Sequence, residues 1–164
     1  MKISNNVSLS EYSSGWSKRF IVERNRLHSV IANVKIEHIG STSIPRMAAK
    51  PSIDILIGII SETDRDRTTN LLQNAGYVVE GSRDGHTWLS CPSAEKRDFI
   101  THLVVADGAE WNRRLSFRDY LLIHPEVAEA YMELKKDLAA KYPHNLDAYT
   151  SGKANFVRDI CNRC

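Results

Sequence analysis

One segment, Ile36 to Ile59, restricts the fold more than any other part of the 164-residue chain. It reads Ile-Glu-His-Ile-Gly-Ser-Thr-Ser-Ile-Pro-Arg-Met-Ala-Ala-Lys-Pro-Ser-Ile-Asp-Ile-Leu-Ile-Gly-Ile. Val34–Ile39 reads as a strand that runs into Gly40-Ser41. A second strand, Ile53–Ile60, is apolar on both faces and rich in β-branched residues, which suits a central position in a sheet. That second strand carries a single acid, Asp54. A carboxylate inside so apolar a run is costly to bury unless it is paired or coordinates something. The glycine and serine upstream can turn backbone N–H groups toward an anion. One carboxylate beside one anion cradle points to a metal–nucleotide site.

The remaining chain supplies the other elements of one α+β domain spanning 1–164. Trp16, Phe20, Leu27 and Ile31 recur at near-helical spacing with charges between them. Ser43 followed by Pro45 fits a short helix with proline in its first turn. A polar helix from Ser61 stops at Gly76. Tyr77–Glu80 and His86–Ser90 form a hairpin across a Gly81-Ser-Arg-Asp-Gly turn, and Asp98–Val105 is a further strand. Helices then follow: Ala109–Ile123, one opened by Pro125 with Val127, Tyr131, Leu134 and Leu138 in a stripe, and one carrying Leu146, Tyr149, Phe156 and Ile160. The reading is a mixed β-sheet flanked by helices, with one helical crossover and a helical C-terminal third.

Composition excludes several classes. A net charge of +2 is too small to indicate a nucleic-acid partner. No run approaches the roughly 18 apolar residues of a membrane span, and Met-Lys-Ile-Ser-Asn-Asn-Val lacks the apolar core of a signal peptide, so a cytoplasmic protein is expected. Cys161 and Cys164 have C-x-x-C spacing at the C-terminus, with no second pair to complete a zinc site and no strand-to-helix context for redox work. They read as incidental thiols.

His38-Ile-Gly-Ser-Thr-Ser-Ile-Pro-Arg-Met-Ala-Ala-Lys-Pro-Ser-Ile-Asp resembles the signature of the GrpB family, bacterial proteins within the DNA polymerase β-like nucleotidyltransferase superfamily. Tyr12, Trp16 and Phe20, the block Thr101-His-Leu-Val-Val, the stretch Trp111 through Phe117-Arg-Asp-Tyr-Leu121, and the pairs Tyr131 with Lys135 and Tyr149 with Lys153 resemble its other blocks. The resemblance implies a nucleotidyltransferase-like fold. It also implies a nucleoside triphosphate or other phosphate-bearing small molecule as partner, Mg²⁺ as cofactor, and transfer of a nucleotidyl group to an acceptor that the sequence does not name. The superfamily pattern is Gly-Ser and then, about a dozen residues on, an acid–apolar–acid triplet. Ile39-Gly40-Ser41 and Asp54 fit it, whereas the second acid position holds Leu56. A site with one of its paired acids replaced holds a metal less firmly.

Candidate roles follow residue by residue. Residues two apart on a strand share a face. If their strands flank that of Asp54, His38 and His102 can both approach the carboxylate, giving Asp54, His102 and His38 as catalytic candidates and Asp54 with His102 as metal ligands. Each imidazole equally suits a satisfied core position, and Asp54 equally suits a buried ion pair with Lys50 or Arg46. Gly40, Ser41 and Thr42 are candidate phosphate-cradle residues, and also ordinary turn or cap residues. Lys50, Arg118, Lys135 and Lys153 are candidate phosphate contacts, with solvated surface charges as the alternative. Two further functions share this pocket: a catalytically degenerate nucleotide- or phosphate-binding module, in which Leu56 marks the loss, and a phosphoester hydrolase with His38 or His102 as general base.

Overall fold

Alternate residues of one strand fix the layout. In the computed structural model, which describes residues 6–164, Ile53–Ile59 forms β2, paired on both sides. Around it stand α1 (Gly15–Val30), β1 (Lys35–Ile39), α2 (Arg65–Asn74), β3 (Val78–Arg83), β4 (His86–Cys91) and β5 (Phe99–Val105). Three helices close the chain: α3 (Ala109–Ile123), α4 (Pro125–Lys141) and α5 (Leu146–Cys161). The strand order is β1-β2-β5-β4-β3, and only the β2–β5 pair is parallel. A parallel pair cannot be joined by a tight turn, and here α2 and the β3–β4 hairpin make the crossover.

Ile53, Ile55, Ile57 and Ile59 point to one face, where they pack with Leu89 and Leu103 beneath Trp16, Phe20, Leu27 and Ile31 of the α1 region and Leu72 of α2. Each β2 isoleucine there is at most 1% exposed, and full burial of such a side chain stabilises by about 1.5–3 kcal/mol. The opposite face carries Asp54, Leu56 and Gly58. At its far end Trp111 of α3 packs on Leu56, Val104 and Ile39. Gly58 makes that seat possible, because a Cβ there would stand 2.6 Å from the Trp111 ring. The near end of this face, around Asp54, carries no such apolar lid. Helices α3 and α4 instead join Ile44 and Met47 of the β1–β2 connection through Leu121 and Tyr131. Leu138 and Tyr149 link α4 to α5.

Two local expectations need revision. Residues Ser41–Ser43 form a single 3-10 turn, and no helix starts at Ser43. Ser43 donates its hydroxyl to the Gly40 carbonyl at 2.6 Å, and the Ile44 N–H closes on Ser41 O at 3.2 Å, so the turn satisfies itself before Pro45. Strand β3 also runs on to Arg83, through an irregularity between Val79 and Gly81 that lets it continue pairing with β4.

Candidate functional site

The second residue of β2 sits opposite the last residue of β1: Ile39 pairs with Asp54. The chain leaving β1 must therefore turn sharply beside a carboxylate. Gly40 does so with φ 73°, a conformation that strains any residue with a Cβ. A Cβ at that position would also stand 2.5 Å from Asp54 Oδ2. Both the backbone angle and the close approach require glycine, and together they bring the Gly40-Ser41 turn against Asp54.

From this point a cleft of about 510 Å³ opens between the sheet and the C-terminal helices. Gly40, Ser41, Thr42, Lys50, Asp54, His102, Arg118, Lys135 and Lys153 all line it, so nine of the ten side chains or glycines singled out in the sequence converge. The exception is His38. It pairs with Ile55 in the register and therefore faces the opposite side of the sheet, where its ring stacks on Phe20 at 4.7 Å. Its Nε2 meets Thr42 Oγ1 at 3.0 Å, and burial pushes its pKa down to about 4. The expectation that both imidazoles approach Asp54 is corrected: β1 does flank β2, but the one-residue parity of the strand turns His38 to the α1 face, half-buried against Phe20. Thr42 is itself 2% exposed and spends its hydroxyl on His38.

Asp54 forms no ion pair with Lys50 or Arg46. Its Oδ1 lies 3.3 Å from His102 Nε2, with the two side chains 29% and 16% exposed. Burial holds the His102 imidazole below its ordinary pKa, and the hydrogen bond to Asp54 opposes the shift. Behind it, His102 Nδ1 lies 3.0 Å from His86 Nε2.

The walls carry an excess of positive charge. The arginines have partners: Arg97 pairs with Glu80, Arg113 and Arg114 with Glu110, and Arg118 with Glu37, Asp119 and the His38 carbonyl. The lysines do not. Among the described residues the ion-paired lysines are Lys35, Lys96 and Lys136, none of them in the cleft. Lys135 is 1% exposed and donates to the Ala48 carbonyl at 2.6 Å. Burial, with Lys153 nearby, pushes its pKa down to about 7. Lys153 lies 4.2 Å from the Tyr149 ring centroid, and burial brings it to about 8. Lys50 is lowered by burial and then by Arg97. Three ammonium groups thus face a cleft whose one carboxylate free of an ion pair to lysine or arginine is Asp54.

The donor set does not fit a Mg²⁺ site made by the protein alone. Among the described residues no group of three or more His, Cys, Asp or Glu side chains could hold a metal ion. Mg²⁺ favours several oxygen ligands. Here Leu56, in the second acid position, is fully buried under Trp111, and three lysines share the cavity.

Several lining residues escaped the sequence reading. Arg114 and Phe117 lie one turn before Arg118 and Leu121 on α3, so the helical spacing from Arg118 could have indicated them. Trp88 reads as a strand residue, but its place on the cleft follows from β4 pairing with β5, a register that turn chemistry does not reveal.

Comparisons agree with this architecture. The profile of the GrpB protein family matches residues 6–163. The glutamate-rich protein GrpB of Alkalihalophilus pseudofirmus is 38% identical over 165 residues, covering 95% of this chain and 94% of that protein. The crystal structure of the conserved protein GrpB from Enterococcus faecalis superposes with a TM-score of 0.86 at 34% identity, over 95% of this chain and 96% of the other. A mutant Cid1 poly(U) polymerase bound to MgATP gives a TM-score of 0.56 at 13% identity, over 87% of this chain and 50% of that one. This last likeness is one of fold, and it makes the fold nucleotidyltransferase-like. No helix among the described residues is long and apolar enough to cross a membrane.

Proposed function

The chain belongs to the GrpB family, and from its cleft we propose that it is a nucleotide- or phosphate-binding module on a nucleotidyltransferase-like fold, with lysines supplying the positive charge. The observation that carries this reading is the trio Lys50, Lys135 and Lys153, gathered on one cavity without acidic partners. Burying an ammonium group without a counter-charge costs several kcal/mol. A ligand with two or more phosphate charges would remove that cost on binding, and the Gly40-Ser41 turn would add backbone donors. Trp88, Phe117, Leu121 and Tyr149 give the same cavity an apolar wall suited to a base or a similar flat group. The fold's structural neighbour Cid1 was solved with MgATP.

Nucleotidyl transfer with Mg²⁺ is the second reading. The placement of Asp54 against the Gly40-Ser41 turn favours it, while Leu56 in the second acid position weighs against it. A hydrolase using His38 or His102 as base has no geometric support. His38 faces the other side of the sheet, and both ring nitrogens of His102 are engaged.

Thermal unfolding with pyrophosphate and a panel of nucleoside triphosphates, with and without Mg²⁺, separates the readings. A ligand that binds only the folded state at 100 times its Kd adds about 2.7 kcal/mol of stability. The binding-module reading expects this stabilisation without metal, and expects it to disappear in a Lys135→Met, Lys153→Met double variant. Stabilisation that requires Mg²⁺ and is lost in Asp54→Asn would favour transfer. No response to any phosphate-bearing probe would overturn both.

A further inference from the structure

His86 has no role in the reading above, yet it ends a hydrogen-bonded line that starts in the cleft. Asp54 Oδ1 meets His102 Nε2 at 3.3 Å, and His102 Nδ1 meets His86 Nε2 at 3.0 Å. The register explains the line. Trp88 pairs with His102, which puts His86, two residues before Trp88, on the same face one diagonal away. His86 is 5% exposed, and its ring centroid lies 5.1 Å from that of Trp88, which lines the cleft.

Donor arithmetic fixes the direction of the line. A neutral imidazole has one N–H and one lone pair, and an ionised carboxylate only accepts. His102 therefore donates from Nε2 to Asp54, which leaves its Nδ1 as an acceptor. His86 fills that acceptor from its own Nε2–H, and its Nδ1 is left as a bare lone pair. The His86 atom that is buried without a partner among the described residues is Nδ1. The opposite direction would need a proton on the Asp54 carboxyl.

We propose that His86 is a positioning residue: through His102 it holds the Asp54 carboxylate in one orientation, with Oδ1 occupied and Oδ2 kept beside the Gly40 turn for the ligand. The consequence concerns ligand class and rests on the phosphate-binding reading. A carboxylate fixed in this way accepts, so the phosphate-bearing ligand presents it a donor, a hydroxyl or an amine. The pair lies beneath Arg114 and Glu110 of α3 and near Arg83 of β3, whose charges act on it from outside the line. Outer partners of this sort commonly matter: in metal sites, losing the group that orients a ligating histidine costs roughly 10–100-fold in affinity or activity.

Nitrogen NMR of protein labelled with ¹⁵N-histidine reads the tautomers directly and needs no ligand. In the wild type, both His86 and His102 should be Nε2–H tautomers. In His86→Leu the Nε2–H of His102 still faces Asp54, but its Nδ1 lone pair loses the donor that holds the ring, so the His102 Nδ1 resonance should move toward that of an unbonded imidazole nitrogen and ATP affinity should fall roughly tenfold. His86→Gln keeps an N–H donor and should restore both the Nδ1 resonance and the affinity, a rescue that a merely space-filling role would not show. An Nδ1–H on His102 in the wild type, or an unchanged His102 Nδ1 resonance in His86→Leu, overturns the proposal. Should the leucine variant not fold, the wild-type spectrum still decides. Failure of ATP to bind the wild type would count against the phosphate-binding reading while leaving the tautomer result to stand.

Discussion

The two faces of the sheet are built from the same strands and obey opposite rules. On the α1 side, Ile53, Ile55, Ile57 and Ile59 meet a continuous apolar layer. On the other side Asp54, one step from Ile53, and His102, one step from Leu103, meet lysines, arginines and open cavity. The first face supplies the stability that makes the second affordable. Strand alternation does the sorting: a shift of one residue moves a side chain from core to cleft. His38 shows the rule at work, since it adjoins Ile39, a neighbour of the cleft, yet faces the α1 side and stacks on Phe20.

Substitutions can blur or sharpen this division. Leu56→Asp restores the acid–apolar–acid pattern but sets a second carboxylate into the layer of Ile39, Val104 and Trp111. It should destabilise by at least about 3–5 kcal/mol, the range for an uncompensated buried charge, as read by urea denaturation. Smaller loss would show that the cleft reaches further toward Trp111 than the packing indicates. Gly40→Ala should cost about 1–3 kcal/mol from the strained φ alone, and its Cβ must also displace the Asp54 carboxylate. Its unfolding midpoint should drop, and nucleotide-induced stabilisation should drop with it.

The mildest effect is one of pH. The Lys135 amine is brought from its ordinary 10.5 down to about 7 in the folded chain. Between those values the unfolded chain binds more protons than the folded one, so this residue makes stability rise with pH across that window. Lys135→Met should flatten the rise, and the variant should be the more stable one near pH 7. Ligand binding has the opposite sign: affinity for pyrophosphate should weaken as pH climbs through 7 to 8, where Lys135 and Lys153 lose charge. Melting curves and titrations at pH 6.5 and 9 check both slopes.

Much of this was legible in the residues. The apolar run at Ile53–Ile59, the stripes of α1, α4 and α5, and Pro125 at the start of α4 mark elements that local chemistry dictates. The Gly-Ser turn and Asp54 also announced themselves, because a lone acid among isoleucines calls for a reason. What the sequence hid depends on pairing between distant strands. The face of His38 is settled by its partner Ile55, and the contact of His86 with His102 by β4 lying beside β5. Neither register leaves a local trace. The burial of Lys135 was hidden for another reason: its position on α4 looks amphipathic, and the contact that takes its ammonium group, the Ala48 carbonyl, comes from the distant β1–β2 connection.

The bare edge of Gly58 has a mechanical meaning. Trp111 rests where a side chain is missing, near the start of α3, while Arg114, Phe117 and Arg118 line the cleft from successive turns further along. The helix is therefore a beam pivoted at the glycine, and any bulk added there would tilt it and swing the arginines outward. The width of the cleft mouth thus depends on the far end of the same strand, where a methyl group is absent.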